Sequence, residues 1–178
     1  MGQYYRVIVE KEENKRTILN RNVDEAFTAA KLTEHSWWEN PFVNTVCSML
    51  YKKPCRIAWV GDYADDFEFY EETWHTDGEG VTENQTKLDG KYLCNHTLKQ
   101  YVDCNEYFSK SKVDEGKYGI WCLHPLPLLT CVGNGQGGGD YFSEIGMELV
   151  GSWCWNSISV EDEIPEGFTK LDCCFKEV

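Results

Sequence analysis

Three short stretches of this chain carry side chains or bare backbone capable of chemistry. The first is Gly133-Asn134-Gly135-Gln136-Gly137-Gly138-Gly139-Asp140. Gly133, Gly135 and Gly138 satisfy the G-x-G-x-x-G spacing, which lets amide N–H groups close on a phosphate with no Cβ in the way. The setting is not that of a dinucleotide fold, because Gly146 and Gly151 interrupt any helix that would follow. Nor does a Gly-Lys-Ser/Thr ending make it a Walker loop. Asp140 would repel an anion. The run therefore reads as a structural or mobile loop. The alternative is a ligand-lining loop, or a small hydrolase site formed with Asp140 and His124.

Carboxylates supply the second stretch. Asp62, Asp65 and Asp66 follow the expected end of a strand, and Glu68, Glu71 and Glu72 come directly after them. His75, Asp77 and Glu79 add donors downstream. Such residues ligate cations or move protons, but capping and solvated surface explain them equally well. The third stretch is the pair Cys94-x-His96 and Cys122-x-His124. On strands, positions i and i+2 share a face, so two neighbouring strands would present a tetrahedral Cys2His2 zinc set, or a Cys/His nucleophile dyad. The spacing is not that of the common zinc modules, and coincidence in a cysteine-rich β core is the plainer reading. No cofactor is expected and no catalytic residue is assigned.

The elements that would hold these groups follow from pattern. Tyr4–Val9 reads as a strand, and Thr17–Leu19 as the return arm of a hairpin. Asp24–His35 has helical composition. Asn40-Pro41 is a stronger start signal, a favoured N-cap followed by proline at the first helical position. Phe42, Val43, Val46, Met49 and Leu50 then form one apolar stripe, ending at Lys52-Lys53-Pro54. Arg56–Val60 is a buried strand. Phe67, Tyr70 and Trp74 fit a helix capped by Asp65, or a strand, and Thr76–Leu88 is a loop. From Tyr92 the character is β: Cys94 to Leu98, Tyr101–Phe108, Tyr118–Leu129 with Pro125 and Pro127 at an edge, Val150–Val160 and Lys170–Phe175. Trp153 and Trp155 would share a strand face. These tryptophans and Trp37-Trp38 read as core packing, or as interface anchors where exposed. The expectation is one α+β domain over 1–178, with a largely antiparallel sheet and one or two packed helices.

Length and composition agree with that. The 178 residues are 42% hydrophobic and 26% charged, ordinary values for a folded domain, with seven Trp and ten Tyr. No run approaches the ~20 apolar residues of a membrane span. The N-terminus has no signal-peptide core, so the cytoplasm is the expected compartment. Nine cysteines, an odd number without an export signal, read as reduced thiols.

Charge is the most uneven property. The net charge is −13, and two segments produce it: residues 57–86 hold nine acids and residues 118–169 seven, neither with any Lys or Arg. This disfavours direct nucleic-acid binding, which depends on basic side chains, and favours a basic partner.

Six strings carry a resemblance. They are MGQYY at the start, KLTEHSWWENPFV at 31–43, RIAWVGDYAD at 56–65, NHTLKQYVD at 95–103, HPLPLLTCVGNGQGGGDY at 124–141 and GSWCWNSISVEDEIPEGF at 151–168. Together they resemble a family of uncharacterised bacterial and phage proteins. The resemblance runs through most of the chain, which implies a single domain, and it implies no particular activity. Its phage association, with the acidic segments, points to a non-enzymatic interaction protein: an anti-CRISPR-like inhibitor of a bacterial defence nuclease. Asp62, Asp65, Asp66, Glu68, Glu71 and Glu72 would face that nuclease's basic channel.

Overall fold

The computed structural model describes residues 1–20, 29–81 and 84–177. Tyr5–Glu12 (β1) and Lys15–Asn20 (β2) form a hairpin whose turn residue Asn14 has φ 61°. Val7, Val9 and Leu19 point to one face of it and Ile8 and Ile18 to the other, and both faces are buried. Leu32–His35 (α1) is one turn long. The expected helix over Asp24–His35 lies partly outside the described residues. Pro41–Leu50 (α2) begins as anticipated, with Asn40 Oδ1 accepting from Val43 N at 3.1 Å and Pro41 in the first turn. It stops just before Lys52, whose φ is 57°.

Cys55–Gly61 (β3) is the central strand. Tyr70–His75 (α3), Glu79–Gly80 (β4), Tyr92–Asn95 (β5), Gln100–Asp103 (β6) and Cys104–Ser111 (α4) follow. Then come Val113–Asp114 (β7), Ile120–Trp121 (β8), Pro125–Thr130 (α5), Cys131–Val132 (β9), Ser157–Glu161 (β10) and Thr169–Lys170 (β11). The main sheet runs β11-β6-β5-β10-β3-β1-β2-β4. One edge of β3 pairs with β1. The other is shared, with β10 opposite Cys55 and Arg56 and β9 opposite Trp59 and Val60. The pairs β6/β11, β2/β4 and β3/β9 are parallel and the rest of this sheet is antiparallel. The fold is α+β with a mostly antiparallel sheet. Its described α-helices number five, all short, where one or two packed helices were expected.

Several expected elements differ from the observed ones. Tyr101–Phe108 is not continuous strand, because Asp103 accepts from Asn105 N and Glu106 N and opens α4 there. Tyr118–Leu129 is strand only at Ile120–Trp121 and turns into helix at Pro125. The His124-Pro125 pair repeats the cap-and-proline signal of Asn40-Pro41, with His124 Nδ1 accepting from Leu126 N at 3.2 Å. The strand expected over Val150–Val160 begins only at Ser157. Before it, Gly151 (φ 74°) and Trp155 (φ 59°) break the extended run, so Trp153 enters the large core while Trp155 packs on the opposite sheet face. The last strand is Thr169–Lys170 alone, although Cys173 and Phe175 remain buried. Asp65 does not cap α3, whose N-cap position is Phe69.

The sheet thus separates two apolar layers. The larger, under α2, holds Trp59, Leu50, Trp153 and Phe175. In it Trp59 Nε1 donates to His35 Nε2 at 2.7 Å, satisfying a buried indole. The smaller layer, on Ile8, Ile18, Ala58 and Val60, is roofed by Phe67, Phe69, Tyr70, Trp74 and Trp155. All of these rings but Trp155 belong to the acidic segment 57–86.

Candidate functional site

The glycine loop is built around its own carboxylate. Asp140 Oδ2 accepts from Gly135 N (2.8 Å), Gln136 N (2.9 Å) and Gly137 N (3.0 Å), three successive amides of the kind that would cradle an anion. Oδ1 accepts from the Tyr5 hydroxyl at 2.7 Å, and Gln3 Nε2 lies 3.2 Å from Oδ2. Burial first, then the neighbouring Cys131 and Asp140, pushes the Tyr5 hydroxyl well above its ordinary value. Gly137 is required by close approach, since a Cβ there would lie 2.8 Å from Gln3 N. Gly138 exchanges backbone hydrogen bonds with Met1 and Gln3. The loop clasps the N-terminal segment, and the three amides are already taken.

The four residues Cys94, His96, Cys122 and His124 are not gathered into one site. His96 Nε2 sits 2.6 Å from Ser159 Oγ, which donates to Glu161 at 2.7 Å, and burial lowers the His96 imidazole pKa. His124 is buried in the large core, where it caps α5 and meets Cys47 Sγ at 3.7 Å. Burial lowers it to about 3 and pushes Cys47 up, so this pair is neutral on both sides. Burial first also pushes the Cys94 and Cys122 thiols up to about 12. The 122–124 stretch neighbours Trp37 and not β5, which is why the two Cys-x-His pairs do not meet. Among the described residues no group of three or more His, Cys, Asp or Glu is placed to hold a metal ion. All nine cysteines are free.

The acidic roof divides into ties and free groups. Asp62 Oδ1 accepts from Tyr4 N at 3.1 Å, and Glu72 is paired with Arg16 at 2.7 Å, so both are structural. Asp65, Asp66, Glu68 and Glu71 are exposed. Among the described residues Glu71 lies 3.3 Å from His75, and no ion pair joins Asp65, Asp66 or Glu68 to a basic side chain. Their platform is firmly mounted. The Tyr70 hydroxyl donates to Asp62 O at 2.9 Å, and Phe69 and Trp155 pack with ring centroids 4.9 Å apart. From β1 the buried Arg6 donates to Thr73 O (2.8 Å) and Thr76 O (3.3 Å), closing the carbonyl end of α3. Burial first, then Asp62, Asp65 and Glu71, raises the Tyr70 pKa.

Neither a protein-family model, nor a curated protein, nor a solved structure matches this chain. The site must speak through its own geometry. No helix among the described residues is long and apolar enough to cross a membrane.

The second acidic segment does not extend the first as its charge suggests. Asp140 is internal, Glu161 holds Ser159, and Asp162 lies between Lys52 (3.2 Å) and Lys91 (2.9 Å). Glu144, Glu148, Glu163 and Glu166 are the exposed remainder. Trp37, Trp121 and Asp89 form a cleft elsewhere on the surface that the sequence signals only as a Trp-Trp doublet.

Proposed function

We propose that this chain is a non-enzymatic protein-binding module that docks a basic partner through Asp65, Asp66, Glu68 and Glu71. The partner is a nucleic-acid-binding nuclease of bacterial defence, so the role is that of an anti-CRISPR-like inhibitor from a phage or mobile element. The observation that carries the reading is the set of four exposed carboxylates within seven residues, with no Lys or Arg in the same segment, on a platform fixed by aromatic packing and Arg6. Such a surface repels phosphates and steers a basic cleft into register, and a fixed platform loses little freedom on binding.

The test compares the protein with its D65N/D66N/E68Q/E71Q variant as immobilised bait for bacterial lysate at low salt. The expected result is a basic nuclease retained by the first and not by the variant, released by added salt and displaced by the nuclease's own nucleic acid. Capture of the same nuclease equally by both baits would overturn the reading, as would no capture of a nuclease at low salt.

A further inference from the structure

On the other side of the sheet from the acidic roof, the segment before α2 lies against the segment after β8. Trp38 N donates to Cys122 O at 2.9 Å, His124 N to Ser36 O at 2.9 Å, and Trp37 bridges Leu123. This pairing sets Trp37 and Trp121 in a stack with centroids 6.4 Å apart. Beside them Trp38, packed on Tyr107 and Phe108 at 6.0 and 4.9 Å, forms the floor. The result is a cleft of about 360 Å³ lined by Trp37, Trp38, Phe108 and Trp121, with the carboxylates of Glu39 and Asp89 at its rim. It is at the small end of the ~300–1,000 Å³ range of ligand pockets.

Its chemistry is specific. Indole faces attract cations, most strongly when water is displaced, and an adjacent carboxylate adds a charged acceptor. Lys87 holds Glu39 at 3.2 Å, whereas Asp89 makes no ion pair or side-chain hydrogen bond among the described residues. One carboxylate beside the aromatic cleft therefore remains available. Next to the cleft the β7–β8 hairpin exposes Tyr118 (77%) and Ile120 (61%), apolar area that a free small cation would leave uncovered.

We propose that this cleft receives an arginine side chain of a partner polypeptide, its guanidinium over the indole faces and paired with Asp89, with the hairpin covering flanking residues. Arginine fits better than lysine, since its planar, weakly hydrated head both stacks on indole and presents a fork to a carboxylate. The site is separate from the acidic roof and does not rest on the function assigned to it.

The test is an NMR titration of the indole Nε1–H signals with the blocked peptide Gly-Arg-Gly, against its citrulline and lysine counterparts and against tetramethylammonium. Saturable shifts at Trp37 and Trp121 are expected with the arginine peptide, with binding about tenfold weaker for citrulline. D89N, an exposed substitution that leaves the fold intact, should weaken arginine binding roughly fivefold or more. E68Q in the acidic roof should leave it unchanged, which separates the two sites. Equal binding of citrulline, no effect of D89N, or the absence of saturable shifts would overturn the proposal. Tighter binding of tetramethylammonium or the lysine peptide would overturn the arginine assignment.

Discussion

Asp140 shows how a single side chain can account for a motif that otherwise suggests a ligand. Three amides, a phenol and an amide side chain surround one buried carboxylate, so the loop's anion is a residue of the loop itself. The sequence shows that an acid sits at the end of the glycine run. It does not show that the chain folds back to place the acid inside, because that depends on Gln3 and Tyr5, more than 130 residues away. D140N puts an amide NH2 where donors converge and should cost roughly 2–4 kcal/mol, read as a lower urea midpoint with unchanged slope. His124 gives a prediction with a sign. A histidine in the unfolded chain titrates near ~6.5, while burial lowers His124 to about 3. Between those values the unfolded state binds more protons. The contribution is therefore complete above about pH 6.5 and is lost as pH falls towards 3. H124N keeps an acceptor for Leu126 N and removes this titration. Its deficit in urea midpoint against the parent protein should shrink between about pH 7 and about pH 4.

Elements were legible where their signals are local. Asn40-Pro41 and the stripe from Phe42 to Leu50 specify α2 without help from the rest of the chain, and N40A should lose about 1 kcal/mol through the freed Val43 N–H. The same cap logic operates at Asp103 and His124, yet neither helix is evident beforehand. Residues 104–108 continue a run of aromatic and cysteine residues that suits a strand equally, and only the Asp103 cap breaks the tie. His is an uncommon cap, and two prolines in 125–127 resemble an edge strand until Pro125 is seen at the first helical position. D103A should therefore cost about 1 kcal/mol, as N40A does, and the loss should appear as faster amide exchange in α4. Trp153 and Trp155 were separated by backbone geometry that a period-two pattern ignores, a positive φ at Trp155 turning the chain to the second sheet face.

At the scale of the whole molecule, −13 is a sum over residues with different duties. The sequence counts acids but not their partners, so it credits two segments with one kind of surface. Folding commits Asp62, Glu72, Asp140, Glu161 and Asp162 to contacts within the protein and leaves Asp65, Asp66, Glu68 and Glu71 exposed within seven residues of one another. Like charges so near in sequence on one short segment repel, and a fold under no other demand would gain by losing them. The D65N/D66N/E68Q/E71Q variant should therefore melt about 1–3 °C higher than the parent at low salt. That gain should fade as ionic strength rises past physiological values, where the screening length is ~8 Å. A second variant, E144Q/E148Q/E163Q/E166Q, changes the net charge equally and serves as the control. If the roof docks a basic partner, the first variant gains stability and loses the partner, while the control keeps it. Equal loss of partner binding by the two would mean that net charge alone governs association and that the roof has no special part in it.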